Sequence, residues 1–289
     1  MYRFPMVMGH ESCGVVESVG DNVTKVKPGD VPKGLMPDGT TRFSCKGVPL
    51  YHFMGISSFS EYTVVSQYSV SRIDVAAPLE KICLLGCCIP TGYGAVVNTA
   101  QVFKGATVAV FGCGALGISV IQGAVASQAS RIFAIDINPK KFEISTEFGA
   151  TECINPLNYP NQKIEDVIRS KTNGMGVDFS FDTSGGNVEV MNSAFDCVVP
   201  GWGKSIIISL ADIGKRVSTL PINFIRGKSW MGTSFGGVKG SDLNDYAQKY
   251  IEGKLKIDEY IGGNITLEEI NYGFESLRKG ECIRQVIIL

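Results

Sequence analysis

The sequence predicts an α/β chain in which a doubly wound parallel sheet is inserted into a β-rich, turn-rich part. Three observations predict it. Short β-branched runs bounded by Gly, Asp, Asn or Pro fill the first 85 residues, strands and helices alternate from about residue 90, and two amphipathic helices with a closing strand follow residue 235. Strands separated by helices pair in parallel through right-handed crossovers, which is the construction of a doubly wound sheet.

Taken in order, CGVVESVG, VTKVKPGD and SEYTVVSQYSVSRID read as strands with turn residues at their ends, and no long helix is expected before residue 90. TVAVFG reads as a buried strand followed by a helix through Ala126. The stretch 106–126 is apolar enough to imitate a membrane span, but its glycines cluster where a strand turns into a helix. RIFAID, GVDFSFDTSG and KSIIISL continue the strands, with NPKKFEISTEFG and VEVMNSAFDCV as helices between them. DLNDYAQKYIEGKL and LEEINYGFESLRKG are the late helices, and IRQVIIL is the last strand. The expected domains are 1–88 with 235–289, and 89–234.

Composition bounds the function. The chain has 289 residues, 44% hydrophobic, with 27 basic and 28 acidic side chains, enough for a sizeable core and without the basic face that nucleic acid or an anionic membrane requires. MYRFPMVMGHE has neither the apolar run nor the cleavage site of a secretory signal. Nine cysteines without a Cys-x-x-Cys pair suggest reduced thiols, so a cytoplasmic protein is expected.

The strongest motif is GCGALG: Gly112, Cys113, Gly114, Ala115, Leu116 and Gly117 fit G-x-G-x-x-G between a strand and a helix. Gly112 permits the tight turn, Gly114 lets a pyrophosphate approach the backbone, and Gly117 allows close helix–strand packing. The helix N-terminus offers free amides to phosphates. Asp136, nineteen positions beyond Gly117, would accept hydrogen bonds from a ribose and repel a 2′-phosphate, which points to NAD in a Rossmann-type domain. By residue type alone, His10 in GHE and Cys87 in LLGCCIPTGYG read as an ordinary histidine and an ordinary buried thiol.

GHESCGVVESVG with VKPGD, GLMPDGTTRFSCKG, FSEYTVV, CLLGCCIPTGYGAVVNTA, FGCGALG, AIDINPKKF, GATECINP and CIRQVIIL together resemble the zinc-dependent medium-chain alcohol dehydrogenases, in order and over essentially the whole chain. GLMPDGTTRFSCKG is most similar to the class III, glutathione-dependent formaldehyde dehydrogenase branch, and other fragments are shared by several vertebrate-type classes. The resemblance implies a GroES-like catalytic domain and a dimer formed through the strand in GKSWMGTSFGG. It matches His10 and Cys87 to catalytic-zinc ligands, Glu11 to the glutamate behind them, and Thr91 to the nicotinamide pocket. It matches Asp136 and Lys141 to the adenosine ribose, Arg284 to the pyrophosphate, Ile208, Ser209 and Leu210 to the nicotinamide end, and Phe235 to the return into the catalytic domain. The implied reaction is hydride transfer to NAD from a zinc-bound alcohol: a primary alcohol, a retinol-like alcohol or S-(hydroxymethyl)glutathione.

Two departures set a second expectation. The family's first zinc cysteine, a pyrophosphate arginine and the relay residues precede the stretch matched here, and KPGD runs directly into VPKGLMPDG where relatives carry a four-cysteine lobe, so no structural zinc is expected. Cys13, an odd number of strand positions from His10, should face away from it, and Cys88 stands likewise to Cys87. His10, Cys87 and Glu11 then remain as the metal donors. The alternative to the enzyme is a truncated, catalytically impaired NAD(H)-binding isoform or paralogue.

Overall fold

The structure, a computed structural model, describes residues 4–18, Met36 and 38–289. The chain divides into two compact units: Met1–Cys87 with Lys239–Leu289, and Cys88–Val238.

In the first unit, β1 (Met6–Val7) pairs in parallel with β3 (Val48–His52), and β2 (Phe43–Cys45) forms a hairpin with β3. The two hairpin residues Lys46 and Gly47 both have positive φ, 48° and 78°, as a tight primed turn requires. A short helix, α1 (Leu79–Ile82), precedes Cys87.

The second unit opens with α2 (Cys88–Gly94), continued by a π-helical segment, Ala95–Ala100. It then alternates β4 (Thr107–Phe111), α3 (Ala115–Ala126), β5 (Arg131–Ile135), α4 (Phe142–Glu147), β6 (Glu152–Ile154), α5 (Ile164–Lys171), β7 (Phe179–Asp182), α6 (Val188–Asp196), β8 (Lys204–Ile207), α7 (Pro221–Ile225) and β9 (Ser229–Gly232). The six strands are parallel in the order β6-β5-β4-β7-β8-β9, so the winding reverses between β4 and β7. Alternate residues face opposite sides of the sheet. Ala109, Phe111, Phe133 and Ile135 form one face, packed with Val167, Ile168 and Ala194 from α5 and α6. Val108, Val110, Ile132 and Ala134 are also buried, which explains strands that read as continuous apolar runs. Each large side chain so buried contributes about 1.5–3 kcal/mol of transfer free energy.

The chain then returns to the first unit through α8 (Leu243–Ile251), β10 (Ile261–Ile265), α9 (Ile270–Lys279) and β11 (Arg284–Ile287), with β10 and β11 parallel. Here α8 anchors the segment before α1: Gln248 Nε2 donates to Asp74 Oδ2 at 2.7 Å and the Asp74 amide donates to Asn244 Oδ1 at 2.9 Å.

Two expectations are corrected. Among the described residues SEYTVVSQYSVSRID forms no ladder and contains a 3₁₀ turn at Gln67–Ser69, and the described part of CGVVESVG is likewise without strand pairing. Propensity makes a segment extended, but a strand exists only where a neighbour satisfies its amides and carbonyls. Val15 and Val16 are 85% and 71% exposed, and among the described residues no strand pairs with them. VTKVKPGD lies outside the described residues. The apolar stretch 106–126 divides into β4 and α3, and among the described residues no single helix is long and apolar enough to cross a membrane.

Candidate active site

The first cluster is built by local backbone contacts around β1. Val7 accepts from the Phe53 amide at 3.2 Å and from Ser57 Oγ at 2.8 Å, and the Gly9 carbonyl accepts from the Ser58 amide at 3.1 Å. Gly9 has φ +91°, and a Cβ there would stand 2.5 Å from Ser58 Oγ and 2.8 Å from the Phe59 nitrogen, so glycine is required before His10. The His10 ring is held edge-on to Phe53, 5.6 Å between centroids. The Glu11 backbone packs against Gly86, which brings the next residue, Cys87, alongside.

As a result His10, Glu11 and Cys87 each place one nitrogen, oxygen or sulfur donor atom within 4.8 Å of the others, all three half-buried. Among the described residues this is the group of His, Cys, Asp and Glu side chains able to hold a metal ion. The donor set fits zinc: three protein ligands of mixed N, O and S type, with a fourth position left open, is the composition of catalytic zinc sites. Arg284, on β11, reaches the same carboxylate, with Nε 3.5 Å from Glu11 Oε2. Cys13 stands outside the donor group, and burial pushes its thiol up to about 11. Cys88 is 1% exposed.

The second cluster lies in the other unit at the carboxyl ends of the parallel strands, where ligands of open α/β sheets bind. Gly112 leaves β4 with φ +94°, and Gly117 packs so closely that a Cβ on it would be 1.9 Å from the Gly112 oxygen. Around Gly114 a Cβ would meet nothing within 4 Å, which is open space for a phosphate. Gly114 caps α3, whose first internal bond runs from the Ile118 amide to the Gly114 carbonyl, so the first-turn amides face outward. Asp136 follows β5; its Oδ2 accepts from the Cys113 amide at 2.7 Å and its Oδ1 from the Asn138 amide at 2.8 Å. Fingerprint and acid are thus joined directly. Cys113 is fully buried and its thiol is pushed up to about 12, chiefly by burial, so it faces away from this opening.

The remaining predicted residues group less tightly. Lys141 occupies the N-cap position of α4 without a side-chain capping hydrogen bond. Ile208 and Ser209 donate their amides to the Asp182 carbonyl at 3.1 and 3.2 Å, which sets them beside β7, whereas Leu210 is 87% exposed. Thr91 is buried in α2, and Phe235, at φ +52°, precedes Gly236, which lies against the Thr91 carbonyl. Sequence reasoning missed the contact of Arg284 with Glu11 and the turn Asp182–Thr183–Ser184–Gly185, whose signal was a polar, glycine-ended run directly after a buried strand.

Known proteins are similar to this sequence over nearly its whole length. Residues 1–75 match the alcohol dehydrogenase GroES-like domain and residues 115–252 the zinc-binding dehydrogenase domain. The chain is 47% identical over 315 aligned positions to a putative S-(hydroxymethyl)glutathione dehydrogenase 2 of Schizosaccharomyces pombe, covering 98% of this chain and 82% of the relative. It is 46% identical to S-(hydroxymethyl)glutathione dehydrogenase of Escherichia coli O1:K1, covering 98% and 85%.

The chain belongs to the zinc-dependent medium-chain alcohol dehydrogenase family.

Solved members share the fold. An alcohol dehydrogenase zinc-binding domain protein from Burkholderia ambifaria superposes with TM-score 0.87 at 28% identity, and benzyl alcohol dehydrogenase from Acinetobacter calcoaceticus with 0.84 at 25%; each comparison covers 99% of this chain and 85% of the other. The family consists of oxidoreductases that use NAD and zinc, and the alternative of an impaired nucleotide-binding protein gains no support from these relatives. The 315 aligned positions exceed the 289 residues of the chain, so the dehydrogenases carry positions inside the matched range that have no counterpart here.

Proposed function

We propose that this alcohol dehydrogenase oxidises S-(hydroxymethyl)glutathione with NAD, taking hydride from the hydroxymethyl carbon to leave a formyl thioester, NADH and a proton. The observation that carries the reading is the convergence of His10, Glu11 and Cys87 within 4.8 Å in a chain 46–47% identical to enzymes of that name.

In this reading His10, Glu11 and Cys87 hold the zinc, which supplies Lewis acidity at the substrate oxygen. NAD, when bound, supplies the hydride acceptor. The rest belongs to side chains and amides of this protein. The first turn of α3 and the space at Gly114 receive the pyrophosphate, and Asp136 accepts from the ribose hydroxyls while its charge disfavours a 2′-phosphate. Arg284, besides balancing Glu11, contributes a guanidinium for phosphate, and Lys141, Thr91, Ile208, Ser209, Leu210 and Phe235 complete the coenzyme and nicotinamide contacts. The GroES-like part corresponds to 1–88 with 235–289 and the Rossmann part to 89–234.

A homodimer and a cytoplasmic location belong to the same proposal. Strand β9 is an edge of the six-stranded sheet, and nearby Leu220, Phe224 and Ile225 are 68%, 49% and 80% exposed, an apolar surface that a symmetric second copy would cover.

The test is NADH formation at 340 nm from formaldehyde plus glutathione, with ethanol as comparison and zinc stoichiometry measured on the same sample. About one zinc per chain with adduct-dependent NADH formation is expected. Tight NADH binding without zinc or turnover would refute the reading.

A further inference from the structure

The Gly112–Cys113 peptide is gripped at both ends. A trans peptide points its carbonyl and its N–H in opposite directions. Here the Gly112 oxygen accepts from Thr183 Oγ1 at 2.6 Å, and the N–H of the same peptide donates to Asp136 Oδ2 at 2.7 Å. The hydroxyl also lies 3.0 Å from the Phe111 oxygen, and the Thr183 amide donates to that carbonyl at 2.8 Å. A Cβ on Gly117 would come within 3.0 Å of Thr183 Oγ1, so this hydroxyl occupies the niche between the two outer glycines of the fingerprint.

Thr183 is itself braced. Asp182, fully buried at the end of β7, accepts from Ser184 Oγ at 2.5 Å, and the Gly185 amide donates to Ser209 Oγ at 3.0 Å. The turn after β7 therefore links the fingerprint to the segment after β8, across the point where the sheet reverses its winding.

We propose that Thr183 is a positioning residue for the dinucleotide: its hydroxyl locks the Gly112–Cys113 peptide in the orientation that turns the α3 amides toward the pyrophosphate. It acts through backbone and touches no reacting atom. Asp136 has a second, independent hold in the Asn138 amide, so ribose recognition survives loss of the lock while pyrophosphate recognition does not.

This inference rests on the NAD reading, and the experiment separates the two. NADH, ADP-ribose and adenosine are titrated against the whole protein and its variants by fluorescence or calorimetry, with no turnover required. Thr183→Val, which keeps the shape and removes the donor, is expected to weaken NADH and ADP-ribose by roughly fivefold or more, the worth of one buried hydrogen bond. Adenosine, which keeps the ribose and carries no phosphate, should bind as before, and Thr183→Ser should restore wild-type affinity. If Thr183→Val does not fold, Thr183→Ala removes the same donor without the extra methyl contact. Unchanged NADH affinity in a variant lacking the hydroxyl overturns the proposal, as does a Ser variant as weak as Val, or a parallel loss of adenosine. A wild-type protein that binds no NADH refutes the coenzyme reading itself.

Discussion

Replacing Gly117 by alanine tests the architecture of the nucleotide turn most sharply, because two effects of opposite sign meet there. Alanine is the better helix former by about 1 kcal/mol in a helix interior, so on propensity Gly117→Ala should stabilise α3. The added methyl, however, would lie 1.9 Å from the Gly112 oxygen and 2.9 Å from its carbonyl carbon, where ordinary contact begins at 3.4 Å. Restoring contact requires roughly 1.5 Å of retreat by the helix or the turn, in a region packed as densely as an organic crystal. Overpacking of that kind costs about 1–3 kcal/mol, so it outweighs the propensity gain. With a backbone clash this deep at the upper end of that range, the net expectation is a loss of about 2 kcal/mol, read by chemical denaturation, with Tm lower by several degrees. Gly114→Ala is the comparison: nothing lies within 4 Å of its added methyl, so only the poorer N-cap preference of alanine, up to about 1 kcal/mol, acts on stability, while NADH affinity falls because the methyl fills the space assigned to phosphate. A Gly117→Ala protein as stable as the parent, or more so, would refute this account of the turn.

Removing one metal donor by Cys87→Ala or Glu11→Ala should weaken zinc binding by more than the roughly 10–100-fold that loss of an outer-shell partner costs, measured by competition with a chelating dye. Replacing Asp136 by serine removes the charge facing the ribose and should narrow the preference for NADH over NADPH, read from the two dissociation constants. Thiol alkylation followed by mass spectrometry at pH 8 should label exposed Cys45 and Cys153 first, and Cys113 and Cys197 last, since burial pushes the latter pair up to about 12. These two thiols are held protonated in the fold while their unfolded counterparts ionise near 9.0, so stability should fall as pH rises through 9 toward 12. Phe224→Glu with Ile225→Glu places two charges on exposed positions; the fold should survive, and if the proposed dimer forms through this surface its population, measured by analytical ultracentrifugation, should fall.

Elements whose pattern is satisfied by near neighbours in the sequence were legible before any coordinates. The strand–glycine–helix passage through Gly112 to Ala126 reads correctly because local turn chemistry and apolar runs act together there. The segments 13–18 and 61–75 did not follow their β-branched composition, since strand formation depends on a partner ladder that local sequence does not specify. The hairpin at Lys46–Gly47 and the pairing of β10 with β11 were missed for the complementary reason, that short half-buried strands carry little periodic signal.

The site divides along the same line. By itself the sequence determined the residue types: a G-x-G-x-x-G run with a following acid, and the motifs that name the family. Residue type and local pattern alone presented His10 and Cys87 as ordinary, because 77 positions separate them and nothing local reports that distance closing; only the family motifs marked them as zinc ligands. Tertiary structure decided that the His10, Glu11 and Cys87 donor atoms lie within 4.8 Å of one another, that Arg284 meets the Glu11 carboxylate, and that Thr183 holds the peptide whose other end Asp136 holds. Hydrogen bonds and coordination act over about 3 Å, so only packing that brings remote segments within that reach can give these side chains their chemistry.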